Sequence, residues 1–292
     1  MKLETQTSHW VKCVSTGGSI RGVALDATEL VQAMARIHDL KGESARGLGE
    51  ATLGALLIAS YCKGGERVNL NIQGQGLYSQ ALVDAYPDGR VRGYVIAREN
   101  PSVFEGMGPW GGGLLSVLRT KGEGNPPYIG TVPLLTGHLA KDLSFYWTQS
   151  EQVPSAVGLV VNLSSSGDVL GAGGFLIQAM PGAKDSEVEM IEKHIQEIHS
   201  FQERFSQNQD PTQLLSSILQ STAFVVLEKK PLYFECSCSD ERVKRALTLV
   251  GTQELSSMLT EDQGASIRCD FCSKEYRIDA ESLRKMITGA SE

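Results

Sequence analysis

The sequence predicts an α+β fold in three parts: an N-terminal mixed domain with an antiparallel sheet, a helical linker, and a small C-terminal domain of helices plus a hairpin. Three observations carry this. First, 28 of the 31 glycines lie at or before Gly182, so the first part is turn-rich and largely β and the remainder mostly helical. Second, alternating and helical periodicities follow one another in uneven order, which suits α+β rather than a doubly wound sheet. Third, four of the six cysteines gather in the last quarter of the chain. Boundaries fall at 1–182, 183–230 and 231–292.

The elements follow in order. DATELVQAMARIHDL opens with Asp26 and carries Glu29 three residues on, a capping-box pattern, and Leu30, Met34, Ile37 and Leu40 then recur at helical spacing. SARGLGEATLGALLIASYCKGG predicts a second helix, stopped by Gly64 and Gly65. VNLNIQG alternates apolar and polar residues. With the next extended run, the turn PDGR and VRGYVIA, it makes an antiparallel meander. GLLSVLRT, VGLVVNL and VLGAGGFLIQA are further strands, the last two joined by SSSGD, with a short helix around HLAKDLSFYW. In the linker, DSEVEMIEKHIQEIHSFQERF places Val188, Ile191, Ile195, Ile198 and Phe205 in one apolar stripe on a charged helix. Asp210 before Pro211, with Gln213 at the third helical position, starts another helix, TQLLSSILQS.

With 292 residues and 41% hydrophobic content the chain can bury a proper core. Its net charge is -7, and residues 231–292 hold 8 Lys/Arg against 11 Asp/Glu. Neither balance suits an electrostatic grip on nucleic acid or an anionic membrane. No apolar run reaches the roughly 18 residues of a membrane-spanning helix. The opening MKLETQTSHW lacks the basic and apolar regions of a secretory signal, so a cytoplasmic location is expected. Thiols stay reduced there, and clustered cysteines then read as metal ligands or redox sensors rather than structural disulfides.

Cys236 and Cys238 form a C-x-C pair, and Cys269 and Cys272 a C-x-x-C pair. Structural zinc takes four tetrahedral ligands, prefers thiolate, and draws its ligands in close pairs because one turn can deliver two sulfurs. Val243, Leu247, Val250, Leu255 and Leu259 give the intervening residues helical periodicity, and a helical insert can bring the pairs together. A four-cysteine zinc site is the expectation; four buried thiols without an ion is the competing reading. Four thiolates leave no corner for water or substrate, so zinc hydrolysis is not expected. The ion instead holds together a segment too small to fold well on its own core. Zinc supplies roughly 10–16 kcal/mol of apparent binding free energy to such folds. Both cysteine pairs can close as disulfides, the C-x-C pair with more strain. Arg242, Lys244, Arg245, Arg268 and Lys274 lie near in sequence, either favouring thiolate or serving as ordinary surface charges. Cys13 and Cys62 read as small core residues.

At these residues the chain resembles the redox-regulated heat-shock chaperone family of about thirty-three kilodaltons. F-x-C-x-C-S-x-E-R-V and C-x-F-C-x-x-x-Y carry the likeness in the last segment. GGERVNLNIQGQG, GRVRGYV, GGGLLSV, PPYIGTVPLLTG, SEQVPSAV and GAGGFLIQAMPGA extend it over nearly the whole chain. The resemblance implies an ATP-independent holdase, not an enzyme, that binds unfolding, aggregation-prone client proteins under oxidative stress. It implies one zinc ion per reduced chain on Cys236, Cys238, Cys269 and Cys272. Oxidation then pairs Cys236 with Cys238 and Cys269 with Cys272, zinc leaves, and the C-terminal domain and linker unfold. The N-terminal domain serves substrate binding and dimerisation, and the oxidised form is a homodimer. The apolar stripe of the linker helix must cover something, most simply the first domain. Val188, Ile191, Ile195, Ile198 and Phe205 are therefore expected to form a switchable surface.

Other signals carry less. GPWGGGLL lacks the Lys-Ser/Thr ending of a phosphate loop and GQGLYS the third glycine of a dinucleotide fingerprint. Ser60 and Lys63 match a Ser-x-x-K pattern without its companion motifs. His194 and His199, five apart, point to different sides of a helix. Two rival functions stand beside the chaperone: a constitutive structural zinc-binding interaction module, and a thiol oxidoreductase using Cys269 and Cys272. SIRCDFCSKEYRID reads as a hairpin rather than the strand-to-helix junction that an oxidoreductase needs.

Overall fold

A computed structural model describes residues 1–101, 105–121, 126–197, 210–220, 222–261 and 263–289. The chain forms two compact units, Lys2–Glu235 and Cys236–Glu292, the second including Met1.

The larger unit begins with a hairpin of β1 (Lys2–Ser15) and β2 (Ile20–Asp26). Helix α1 (Thr28–His38) follows at once, and its cap differs from the capping box read in the sequence. Asp26 ends β2, so Ala27 takes the cap position; the Asp26 carboxylate accepts from Thr28 N at 2.8 Å. Glu29 turns to β1 instead and accepts from Gln6 N at 2.7 Å and Thr7 N at 3.0 Å. Helix α2 (Gly42–Ala59) is buried on nearly every side and ends before Gly64 and Gly65. Gly47 is needed in that helix because a Cβ there would come within 2.6 Å of the Tyr78 ring.

The meander is as expected: β3 (Glu66–Gly74), β4 (Tyr78–Ala85) and β5 (Arg90–Ala97) pair antiparallel in sequence. Strands β6 (Gly113–Lys121) and β7 (Tyr128–Leu134) extend it beyond β3. Helix α3 (Leu139–Ser150) leads to the hairpin of β8 (Ser155–Leu163) and β9 (Val169–Ala179).

Beyond residue 182 come α4 (Asp185–Glu197) and α5 (Pro211–Leu219). Asp210 caps α5 as its sequence suggests, accepting from Thr212 N at 2.8 Å. The described remainder is mostly helical as expected, with one long exception the sequence reading did not include: β10 (Phe224–Glu235), a 12-residue strand. It enters the sheet beside β1, completing the order β7-β6-β3-β4-β5-β10-β1-β2-β9-β8. Its short pairing with β5 is parallel and its pairing with β1 antiparallel. Long-range pairing and the burial of Leu232 and Phe234 override the local signal here. Helices α4 and α5 pack Ile191, Leu214, Leu215 and Ile218 against Val11, Ile20 and Ile177 of the sheet. The described residues of 183–235 thus fold within the larger unit, and the chain divides after Glu235.

The smaller unit contains α6 (Asp240–Thr248), α7 (Thr252–Glu261), the hairpin β11 (Gly264–Arg268) and β12 (Glu275–Asp279), and α8 (Ala280–Gly289). Gly251, at φ 98°, breaks the predicted helical insert into α6 and α7. The core is small: Leu247, Leu255, Ile278 and Leu283 are buried, with partly buried neighbours around them. Among the described residues no helix is long and apolar enough to cross a membrane.

Candidate metal centre

Two local structures deliver the four thiols. Cys236 is fixed by backbone: its N–H donates to Met1 O at 2.9 Å and its carbonyl accepts from Met1 N at 3.0 Å. Cys238 stands one residue before Ser239, the N-cap of α6, whose side chain accepts from Arg242 N. The Arg242 guanidinium binds back to Ser237 O at 3.0 Å and Ser237 Oγ at 2.6 Å, closing the C-x-C turn. The second pair sits at the tip of the β11–β12 hairpin. Cys269 N donates to Lys274 O at 3.0 Å, and Cys269 O accepts from Cys272 N at 3.3 Å and Ser273 N at 2.8 Å. Ser273 turns the chain at φ 58°. The Cys269 sulfur faces the N–H groups of Phe271 and Cys272, and the Cys272 sulfur that of Lys274.

All four sulfurs lie within 4.8 Å of one another. Cys236 Sγ is 3.8 Å from Cys269 Sγ, and Cys238 Sγ 3.3 Å from Cys272 Sγ. Zinc–sulfur bonds of about 2.3 Å in a tetrahedron would set sulfurs about 3.8 Å apart. The donor set and its spacing therefore fit a tetrahedral thiophilic ion. None of the four is in a disulfide; Cys236 and Cys272 are buried and Cys238 and Cys269 half-buried. Burial acts to raise the Cys238 thiol, but hydrogen bonds from Tyr276 and the neighbouring thiols outweigh it and bring it down to about 7. Burial raises Cys269 and Cys272. At Cys238 the thiolate is thus favoured by neutral donors rather than by the basic residues named from sequence. Arg242 is engaged at Ser237, and Lys274 stands over the Tyr276 ring, 4.5 Å from its centroid.

Tyr276 is the feature sequence reasoning missed. It is buried on β12 opposite Ile267, and its hydroxyl donates to Cys238 Sγ at 3.0 Å. Its position four residues after Cys272 was visible; its contact with the other pair follows only from the hairpin register.

The other described residues among the predicted cysteines, histidines and stripe positions lie in the larger unit. Cys13 is buried in the sheet, and Cys62 is half-buried after α2, its thiol donating to Ile58 O. Burial pushes both thiols up to about 11, so neither is poised to react. On α4, Ile191 is buried, Ile195 is partly buried against the same cluster, and Val188 lines a cavity of about 70 Å³ between helix and sheet. Ile198, Phe205 and His199 lie outside the described residues. His194 binds the Ile218 carbonyl through Nδ1 at 3.2 Å, which ties α4 to α5.

Comparison with known proteins finds one family. A family model described as Hsp33 protein matches residues 8–279. The 33 kDa chaperonin of Shouchella clausii is 35% identical over 290 residues, covering 96% of this chain and 97% of the relative. That of Streptococcus agalactiae serotype Ia is 36% identical over 283 residues, covering 95% and 97%. The crystal structure of a 33 kDa chaperonin, a heat shock protein 33 homolog from Thermotoga maritima, superposes with a TM-score of 0.87 at 29% identity, covering 98% of this chain and 99% of that one.

Proposed function

The chain belongs to the Hsp33 family of chaperones and carries a C-terminal four-cysteine cluster, and on that basis we propose that it is an ATP-independent holdase switched by the redox state of the cluster. In the reduced form Cys236, Cys238, Cys269 and Cys272 hold one zinc ion per chain as thiolates. The ion supplies four strong bonds that clasp the α6 turn to the hairpin tip and offset a core of few buried side chains. Oxidant closes Cys236 with Cys238 and Cys269 with Cys272. Each closure takes two electrons from a thiolate pair and, with two protons, turns one peroxide into two waters. Both closures together remove every ligand, so the smaller unit loses its clasp and unfolds.

Cys236 directly follows β10, and melting of the smaller unit spreads through that strand into the linker. Helices α4 and α5 then lift from the sheet, exposing Val188, Ile191 and Ile195 together with the apolar surface beneath. That surface holds unfolding client proteins without sequence preference. The oxidised chains pair as homodimers, and the protein works in the cytoplasm.

The convergence of two thiol pairs, 30 residues apart, on a unit with so small a core carries this reading. The test is to measure zinc content and suppression of a heat-aggregating enzyme's light scattering, before and after peroxide. Zinc loss with gained suppression is expected. Zinc retained under peroxide would favour a constitutive structural module, and zinc lost without gained suppression would separate the metal site from chaperone action.

A further inference from the structure

We propose that Tyr276 is a positioning residue of the cysteine cluster: its hydroxyl holds the Cys238 sulfur toward the centre and lowers its reactivity toward electrophiles. The inference rests on the metal-switch reading above. It assigns to one side chain the control of how readily one particular ligand yields.

The geometry is specific. The O–H···S contact is 3.0 Å, and the donor is immobilised because Tyr276 is 2% exposed on a hairpin strand paired to Ile267. The Lys274 ammonium over the ring face draws on its π density and strengthens the phenol as a donor. Cys238 also stands just before the N-terminus of α6, where nine residues of aligned peptide dipoles favour negative charge. Cys269 and Cys272 instead take backbone N–H donors, which truncating a side chain does not remove. The Tyr276 donor to Cys238 can therefore be deleted by a single side-chain change that leaves all four sulfurs in place.

A thiolate attacks an electrophile with a sulfur lone pair, and a hydrogen bond to that lone pair holds it back. Such bonds to charged groups shift an equilibrium by roughly ten- to hundredfold. Sulfur nucleophilicity follows basicity with an exponent of about one half, so losing the bond should speed attack about three- to tenfold. Phenylalanine fills the same space and leaves no orphaned donor behind.

The experiment uses the full-length, reduced, zinc-loaded protein and its Tyr276→Phe variant. Limiting iodoacetamide forms one S–C bond per modified thiolate with loss of iodide, and mass spectrometry reads each cysteine separately. A chromogenic chelator follows zinc release under peroxide. The variant should retain zinc, show Cys238 alkylated about three- to tenfold faster relative to Cys269 and Cys272, and release zinc faster. An unchanged Cys238 ratio would overturn the proposal, and so would a parallel rise at all four sites, which is the mark of a merely loosened fold. Should the variant fail to hold zinc, 3-fluorotyrosine at position 276 keeps the shape with a stronger donor. Cys238 should then react more slowly, and an unchanged ratio would count equally against the idea. A wild-type chain that carries no zinc, or keeps it under peroxide, removes the switch reading and the proposal with it. A wild type that switches, with an unchanged ratio in the variants, removes the role of Tyr276 alone.

Discussion

Ile191→Ala should loosen the linker without touching the cysteines. Helix α4 is mostly acidic and polar, and Ile191 is its one buried residue among those described, at 4% exposure. It packs against Ile20, Ile177 and Leu214–Leu215, next to the cavity of about 70 Å³ that Val188 and Ile195 also line. Truncating such a side chain removes three carbons' worth of burial and enlarges a void that the sheet cannot close, a cost of about 2–4 kcal/mol. Beside Ile191, α4 is held by partly buried Ile195 and by polar contacts of Glu187 with Ser19 and of His194 with Ile218 O, so much of that cost falls on its local docking, shifting its opening equilibrium by up to roughly 30- to 900-fold. Hydrogen exchange on the reduced, zinc-loaded protein is the assay, with suppression of client aggregation measured in parallel. Amides of 185–197 should exchange faster while those of β3 and β4 keep their protection, and the reduced protein should gain activity. Leu53→Ala serves as the control: Leu53 is fully buried on α2, so it costs as much but leaves α4 in place. Unchanged α4 exchange, or equal activity gained by the control, would refute the reasoning.

Two further outcomes follow from the larger unit. Burial pushes the Glu50 carboxyl up to about 7 from 4.5, against the pull of a hydrogen bond from Trp110 Nε1 at 3.4 Å. Between those values the unfolded chain ionises Glu50 and the folded chain does not, so stability falls as pH rises through that window, by about 2–3 kcal/mol in all given the residue's partial exposure. Glu50→Gln should flatten this slope; urea midpoints at pH 5 and pH 8, read from tryptophan fluorescence, check it, since Trp10, Trp110 and Trp147 all lie in this unit. Asp210→Ala removes the α5 cap, should cost about 1 kcal/mol, and should raise amide exchange over 211–219.

Much of the site was legible because its information is local. Spacing within C-x-C and C-x-x-C reflects what a single turn can present, and the hairpin tip at Cys269–Cys272 follows from turn chemistry alone. Asp210 and Pro211 are equally local and mark the start of α5. The rest depends on partners far along the chain. Strand β10 contains Pro231 and exposes Val225, Val226 and Leu227, so it lacks a strand's alternation. It forms by pairing with β1, more than 200 residues away, and Pro231 is accommodated next to a break in the ladder between Glu4 and His9. Glu29 was read as a capping residue because its true partners, Gln6 and Thr7, lie on another strand. The contact of Tyr276 with Cys238 needs the folded hairpin to place a hydroxyl 38 residues away in sequence.

The central claim is that the ion, and not the core, holds the smaller unit folded. The most direct measurement is amide exchange across 240–283 in the full-length protein, first reduced with zinc, then oxidised with zinc removed. The account predicts collapse of protection in α6, α7 and the hairpin on oxidation, with β3 and β4 still protected. Protection retained there, with both disulfides closed and no zinc bound, would contradict it.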